Sequence, residues 1–358
     1  MVSGPLVISL RIMVIFFLAL SLKHVITENK SDILLILILI HLVAFITDEL
    51  IILLLVSDFM LCWLCLGFRL YHGTFRSLVS NVYLIFYVLI PSVPLLVYAL
   101  IEQSKIYELH IGNSSLLWFL LLLAGLAKLP VFGSHYWLPK AHVQATTFIS
   151  ILLAGLSLKV RLVLVSTVTQ ILEPSVSRGI LVVLLMFRIT AACYVGVCSV
   201  DFKVFLAYCS VGHITMAAVA LSIVDTIRLK GAWLIRIGHC LSSPLLFSIV
   251  RLSQYITRNR TNLPTSGVKT TAVTVTLLAA LLVDLPFPPV FPFFRELMCL
   301  STSYIYIRLP SLVLVLGLIM LLRRYEAMYQ TLRRWVTSSS IASVLGVLVT
   351  LVSGIFIL

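Results

Sequence analysis

Runs of leucine, isoleucine and valine about twenty residues long, parted by short polar punctuation, recur from one end of this chain to the other. Lipid offers the backbone no hydrogen-bond partner, so a run of that length must close its own amides as a helix, and it is then long enough to cross a bilayer. The pattern predicts twelve such spans, near residues 5–22, 33–47, 50–67, 80–101, 115–133, 147–171, 178–200, 203–223, 230–250, 270–296, 305–323 and 340–358. The segments between them are too short to hold a soluble domain. The expected fold is therefore an all-α polytopic membrane bundle.

Composition agrees: 61% of the 358 residues are hydrophobic, 11% are charged and the mean hydropathy is +1.14, which excludes a soluble globular domain. The net charge of +13 would suggest nucleic acid in a soluble protein. Here the cations punctuate the spans instead of forming one stripe, so no nucleic-acid partner is expected. Lys23, Lys30, Arg69, Arg76, Lys140, Lys203, Arg251, Arg258, Arg323 and Arg324 are among those after odd-numbered spans, against Lys105, Arg178, Arg228, Lys230 and Arg308 after even ones. Under the positive-inside rule that bias puts both termini on one side of the membrane. The opening MVSGPLVISLRIMVIFFLAL resembles neither an Arg- and Ser-rich transit peptide nor a cleaved signal. A protein with that start, if it sits in an organelle, is expected to be made there. Cys62 and Cys65 form a CxxC without neighbouring ligands, which reads as packing and not as a metal or redox site.

With no phosphate loop, metal cluster or serine elbow in sight, chemistry must come from ionisable groups within the spans. A charge near the bilayer centre costs at least about 3 kcal/mol, so such groups face a hydrated interior and often mark ion paths. Asp58, Lys128, Lys159, His213, His239 and Glu296 are the candidates. Each has a structural alternative: Lys159 and Glu296 can snorkel, and a histidine can bond across helices. Spread over six spans, together they suggest a relay.

Two spans are also interrupted. Pro130 and Gly133 follow Lys128, and Pro286, Pro288, Pro289 and Pro292 precede Glu296. Proline removes an amide donor and frees carbonyls, and broken helices at matching places of two repeats point to a transport site. Taking 33–171 and 178–323 as two inverted five-helix repeats makes the broken helix the fourth in each. Residues 1–32 then form an N-terminal helix and loop, and 324–358 a basic loop and last helix.

The stretch AKLPVFGSHYWLPKAHVQA resembles the segment of the mitochondrial NADH dehydrogenase subunit 4 family that reads approximately K-x-P-x-x-G-x-H-x-WLPKAHVEAP. TDELIILLLVSD, LLAGLSLK, DFKVFLAYCSVGHI, GHCLSSPLLF and LPFPPVFPFFREL follow in family order, covering roughly residues 47 to 300. The resemblance implies an antiporter-like, proton-pumping subunit of the membrane arm of respiratory complex I, in the mitochondrial inner membrane. It implies no cofactor in this chain, with NADH, FMN, iron–sulfur clusters and ubiquinone bound elsewhere in the complex. The implied partners are neighbouring membrane-arm subunits, including other antiporter-like ones, with lipids, protons and internal water. By motif, Asp58 stands where the family has a glutamate, Lys128 matches the broken-helix lysine, and Lys159 the lysine of the following span. His213 and His239 match the central histidines, and Glu296 the last acidic residue. Lys203 matches a lysine of the family, with a positive-inside anchor as its other reading.

The departures are specific. Most members of the resembling family run longer and carry fourteen spans, and this chain reads as if the first two were missing. Asp58 is one methylene short of Glu, Gln144 replaces Glu, and Thr146 replaces a proline, which should loosen that connection. Arg295 adds a cation beside Glu296. Arg11, Arg161, Arg188 and Arg236 are further charges in or near spans, expected to meet partner subunits or lipid headgroups. Two other functions stand beside the pumping subunit: a stand-alone cation/proton antiporter subunit, and a membrane-arm spacer that has lost proton transfer.

Overall fold

The computed structural model describes residues 50–71, 75–104, 136–171, 177–199 and 201–222, most of 124–130 and 231–250, and four isolated positions before residue 50. Apart from short turns and connections, those residues are helical. The expected spans at 5–22, 270–296, 305–323 and 340–358 lie outside the described residues, as do most of 33–47 and 115–133. Among the described residues, the expected spans at 50–67, 147–171, 178–200 and 203–223 are helical over nearly their whole length, and 230–250 is helical where it is described.

The first, α1 (Leu50–Tyr71), is apolar along nearly its whole length. Next come α2 (Phe75–Leu89) and α3 (Ser92–Ser104), which fall where a single span over 80–101 is expected. A turn at Ile90 and Pro91 divides them, because the residue before a proline is driven out of helical geometry. Pro94 lies in the first turn of α3, where its missing amide costs nothing. The apolar stretch Ser77–Leu100 still has the length to cross a membrane.

WLPKAHVQ folds as a short helix, α4 (Trp137–Gln144), with Trp137, Leu138, Pro139, Ala141 and His142 buried. The next span is composite: α5 (Thr147–Leu152), a π-helical turn at Leu153–Ser157, then α6 (Leu158–Ile171). Two long helices follow, α7 (Ser177–Cys198) and α8 (Phe202–Ser222).

Exposure sorts these helices into centre and rim. The windows Ile149–Ser166 and Phe202–Ser222 are each 89% buried, against 28% for Ser77–Leu100. The α5–α6 span and α8 therefore form the core, and α1 packs on α6 while α4 packs on α2 and α8. The outer helices turn Leu55, Phe59, Val82, Phe86, Val93 and Phe187 outward, a greasy surface that water would penalise and lipid accepts. Between helices of equal greasiness, close packing and polar contacts must supply the adhesion. Ala207, Ala217, Ala218 and Ala220 let α8 approach its neighbours, and Asn81 Nδ2 donates to the Cys65 carbonyl at 2.8 Å, joining α2 to α1. Cys62 is exposed and Cys65 buried, both as free thiols.

Candidate functional site

Residues 128–130 form a turn where the helical residues before them stop, so Lys128 sits at a helix end, followed by buried Leu129 and Pro130. Gly133 lies outside the described residues. The Lys128 side chain is wholly buried, and its Nζ donates to Asp58 Oδ1 at 2.8 Å from a carboxylate that is 16% exposed. Ser57 completes the contact: its hydroxyl donates to the Leu54 carbonyl at 2.8 Å and stands 3.4 Å from both Lys128 Nζ and Asp58 Oδ1. Aspartate thus reaches the lysine despite being a methylene shorter than the expected glutamate.

A second group lies on the core helices. Lys159, on the first turn of α6, donates to the Ala154 carbonyl in the π-helical turn and is 2.8 Å from His239 Nδ1. An ammonium has only donors to offer, so Nδ1 accepts and His239 carries its proton on Nε2 while Lys159 is charged. The rings of His239 and His213 (α8) lie edge to face with centroids 5.6 Å apart. Lys159, His213 and His239 are therefore brought together, and Asp58 is paired with Lys128. Glu296, with Pro286, Pro288, Pro289, Pro292 and Arg295, lies outside the described residues.

Several arginines sit where the sequence does not expect them. Arg161, Arg188 and Arg236 are each 5% exposed or less, so their placement against partner subunits or headgroups is corrected: they are folded into this chain. Aromatic faces make part of this possible, since a desolvated guanidinium is attracted to an indole ring. Arg161 stands over Trp137 at 5.0 Å and Arg236 over Trp233 at 4.3 Å. Arg11 is outside the described residues.

The link between α4 and α5 is tied down and not loosened. Thr146 is the N-cap of α5, its hydroxyl accepting from the Ile149 amide at 3.4 Å. Lys203, at the start of α8, donates to the Ala145 carbonyl at 2.9 Å, where a helix C-terminus favours a cation. Lys140 stays at the surface with its Nζ 3.8 Å from the Tyr83 ring centroid. His142 is fully buried, stacked on Phe247 at 4.7 Å, and neither ring nitrogen has a hydrogen-bond partner among the described residues. Burial pushes its pKa down to about 3, with the charges of Lys203 and Lys159 acting the same way. Sequence reasoning passes over Ser57, Trp137 and His142, and it gives Arg161 no place beside the candidate relay. Only the adjacency of Ser57 to Asp58 and the placing of Arg161 two residues after Lys159 could have drawn attention to them.

A helical membrane bundle holding a lysine–carboxylate pair at a helix end, with a lysine–histidine contact in its core, has the form of an antiporter-like membrane protein. The chain belongs to the NADH:quinone oxidoreductase/Mrp antiporter transmembrane family, matching it over residues 47–321. It is similar to NADH-ubiquinone oxidoreductase chain 4 of Pelomedusa subrufa, 31% identical over 261 residues, which are 68% of this chain and 56% of that one. The protein of the same name from Struthio camelus is 32% identical over 239 residues, 62% of this chain and 52% of that one. The chain thus spans about half the length of the curated relatives it matches. The fold resembles a chain of an archaeal respiratory membrane complex, the membrane-bound sulfane sulfur reductase, with a TM-score of 0.78 at 15% identity, over 97% of this chain and 78% of that one. It also resembles a chain of the Mrp complex from a Dietzia species, with a TM-score of 0.72 at 16% identity, over 91% and 65%.

Proposed function

We propose that this protein is a proton-translocating, antiporter-like subunit of the membrane arm of respiratory complex I in the mitochondrial inner membrane, spanning it many times and encoded in the organelle. It couples NADH:ubiquinone electron transfer to proton pumping as one part of an enzyme whose NADH, FMN, iron–sulfur and quinone sites lie in other subunits. Relatives named NADH-ubiquinone oxidoreductase chain 4 support this reading. Its partners are the neighbouring membrane-arm subunits, with lipid around the bundle and water within it.

The observation that carries the proposal is the Asp58–Lys128 ion pair buried at a helix end. A lysine in a low-dielectric bundle holds its charge against desolvation, and a nearby carboxylate favours that charge, so making or breaking the pair moves its proton affinity strongly. Redox energy reaching the chain through neighbouring subunits biases the pairing. Protons released there pass by way of water to Lys159, His239 and His213, and exchange with the far side through Glu296. The two repeats, 33–171 and 178–323, each contribute one broken helix to this path.

Replacing Lys128 by Met tests the assignment. NADH-driven proton translocation per electron should fall while the complex remains assembled, and a wild-type ratio would rule out Lys128 as a carrier and favour a spacer. Lys128→Met also leaves half-buried Asp58 without its hydrogen-bonded partner, which destabilises the fold. The Asp58→Asn/Lys128→Met double variant, free of that unpaired carboxylate, is the assembly control. A second reading, a stand-alone cation/proton antiporter subunit, is favoured by the fold shared with the Mrp complex chain.

A further inference from the structure

Helix α6 carries two buried cations two residues apart. Lys159 is engaged by His239 and Ala154. Arg161 has no part in the relay just described, yet it is among the most deeply buried large side chains, 2% exposed and steadied by the Trp137 ring. One terminal nitrogen of its guanidinium has no hydrogen-bond partner among the described residues. Its helix packs on α1, which carries Asp58 and Cys65, and the charges of those two groups and of Lys128 lie within electrostatic reach of it. Two buried cations therefore act on one carboxylate, Lys128 through a hydrogen-bonded ion pair and Arg161 at longer range across the packing of α6 on α1.

A guanidinium keeps its charge at any pH a cell meets, so Arg161 cannot itself carry a proton. We propose that Arg161 is a positioning residue: a standing counter-cation for Asp58 that lets Lys128 release its proton without stranding a carboxylate in the bundle. The inference rests on the role proposed above for the Asp58–Lys128 pair.

Charge bookkeeping gives the reason. With Lys128 protonated, Asp58, Lys128 and Arg161 sum to a formal +1, and after release they sum to zero with the carboxylate still facing a cation. Without Arg161 the pair begins at zero and ends at −1, an uncompensated anion in a low-dielectric interior. Lys128 should then hold its proton more tightly, and give it up only against a more alkaline medium.

NADH-driven proton translocation measured against pH in the assembled complex separates the cases. Arg161→Lys keeps the charge and should follow wild type. Arg161→Met should pump poorly at neutral pH and recover as pH rises, its profile displaced upward by about one unit. A profile that superimposes on wild type, or moves to lower pH, overturns the inference. Full pumping by Lys128→Met instead overturns the carrier reading beneath it, so the two failures are distinguishable. Should Arg161→Met fail to assemble, Arg161→Gln, which keeps a long hydrogen-bonding side chain without the charge, decides: a profile displaced upward supports the standing charge and a wild-type profile refutes it.

Discussion

His142 is buried as a neutral imidazole, and that has a measurable cost in acid. The unfolded chain protonates it as pH falls through about 6.5, the ordinary value for histidine, whereas the folded chain keeps it neutral down to about 3. Between those values only the unfolded state takes up the proton, so stability is intact above the window and declines as pH falls across it. His142→Phe, which keeps an aromatic ring beside Phe247, should flatten the acid limb of thermal stability in detergent between pH 6.5 and 4. Parallel limbs for variant and wild type would assign the decline to other groups. At this scale the sequence is legible where rarity carries the signal. Charge is expensive among leucines, so Asp58, Lys128, Lys159, His213 and His239 stand out, and all are half-buried or buried in the structure. The arginines stand out equally but mislead: Arg161 finds its aromatic face on another helix, whereas Arg236 finds Trp233 only three residues before it. Nothing near Arg161 in sequence announces Trp137.

Among the elements, those set by one residue's own backbone chemistry were legible, and those set by neighbours were not. The interruption after Lys128 follows from Pro130, and the twenty-residue apolar runs give the helices. The division of 80–101 also has a local cause, Pro91, but its effect is masked by apolar residues on both sides. The π-helical turn at Leu153–Ser157 has no periodic signature in a run that is greasy all round. Its consequence is the Ala154 carbonyl held by Lys159, so it belongs to the geometry of the candidate relay. Thr146 shows how a departure can be compensated: where relatives of the resembling motif stiffen the chain with proline, this one caps a helix with a hydroxyl. Thr146→Ala should therefore destabilise the α4–α5 junction by about 1 kcal/mol, the usual worth of such a cap. The measurement is earlier amide exchange in residues 147–152 relative to α8, and unchanged exchange would mean that Lys203 on Ala145 alone holds the junction.

At the scale of the whole molecule, the burial contrast between helices bears on what surrounds the chain. The α5–α6 span and α8 are shielded by their own neighbours, while α1, α2, α3 and α7 present apolar side chains outward. Lipid satisfies such a surface, and so does the flank of another membrane subunit, so exposure by itself does not separate a membrane-arm subunit from a stand-alone antiporter. The family covers both. Under the role proposed for the Asp58–Lys128 pair, what separates them is the source of energy for breaking it. In the respiratory reading it arrives from electron transfer in other subunits, and this chain moves protons only when coupled to them. In the antiporter reading a cation gradient suffices. Purification in mild detergent from its native membrane should therefore yield the chain in one large assembly that oxidises NADH, and membranes holding that assembly should acidify one side only while quinone is being reduced. Proton movement driven by an imposed sodium or potassium gradient, without NADH and without co-purifying redox subunits, would reverse the assignment in favour of the antiporter while leaving the role of the ion pair in place.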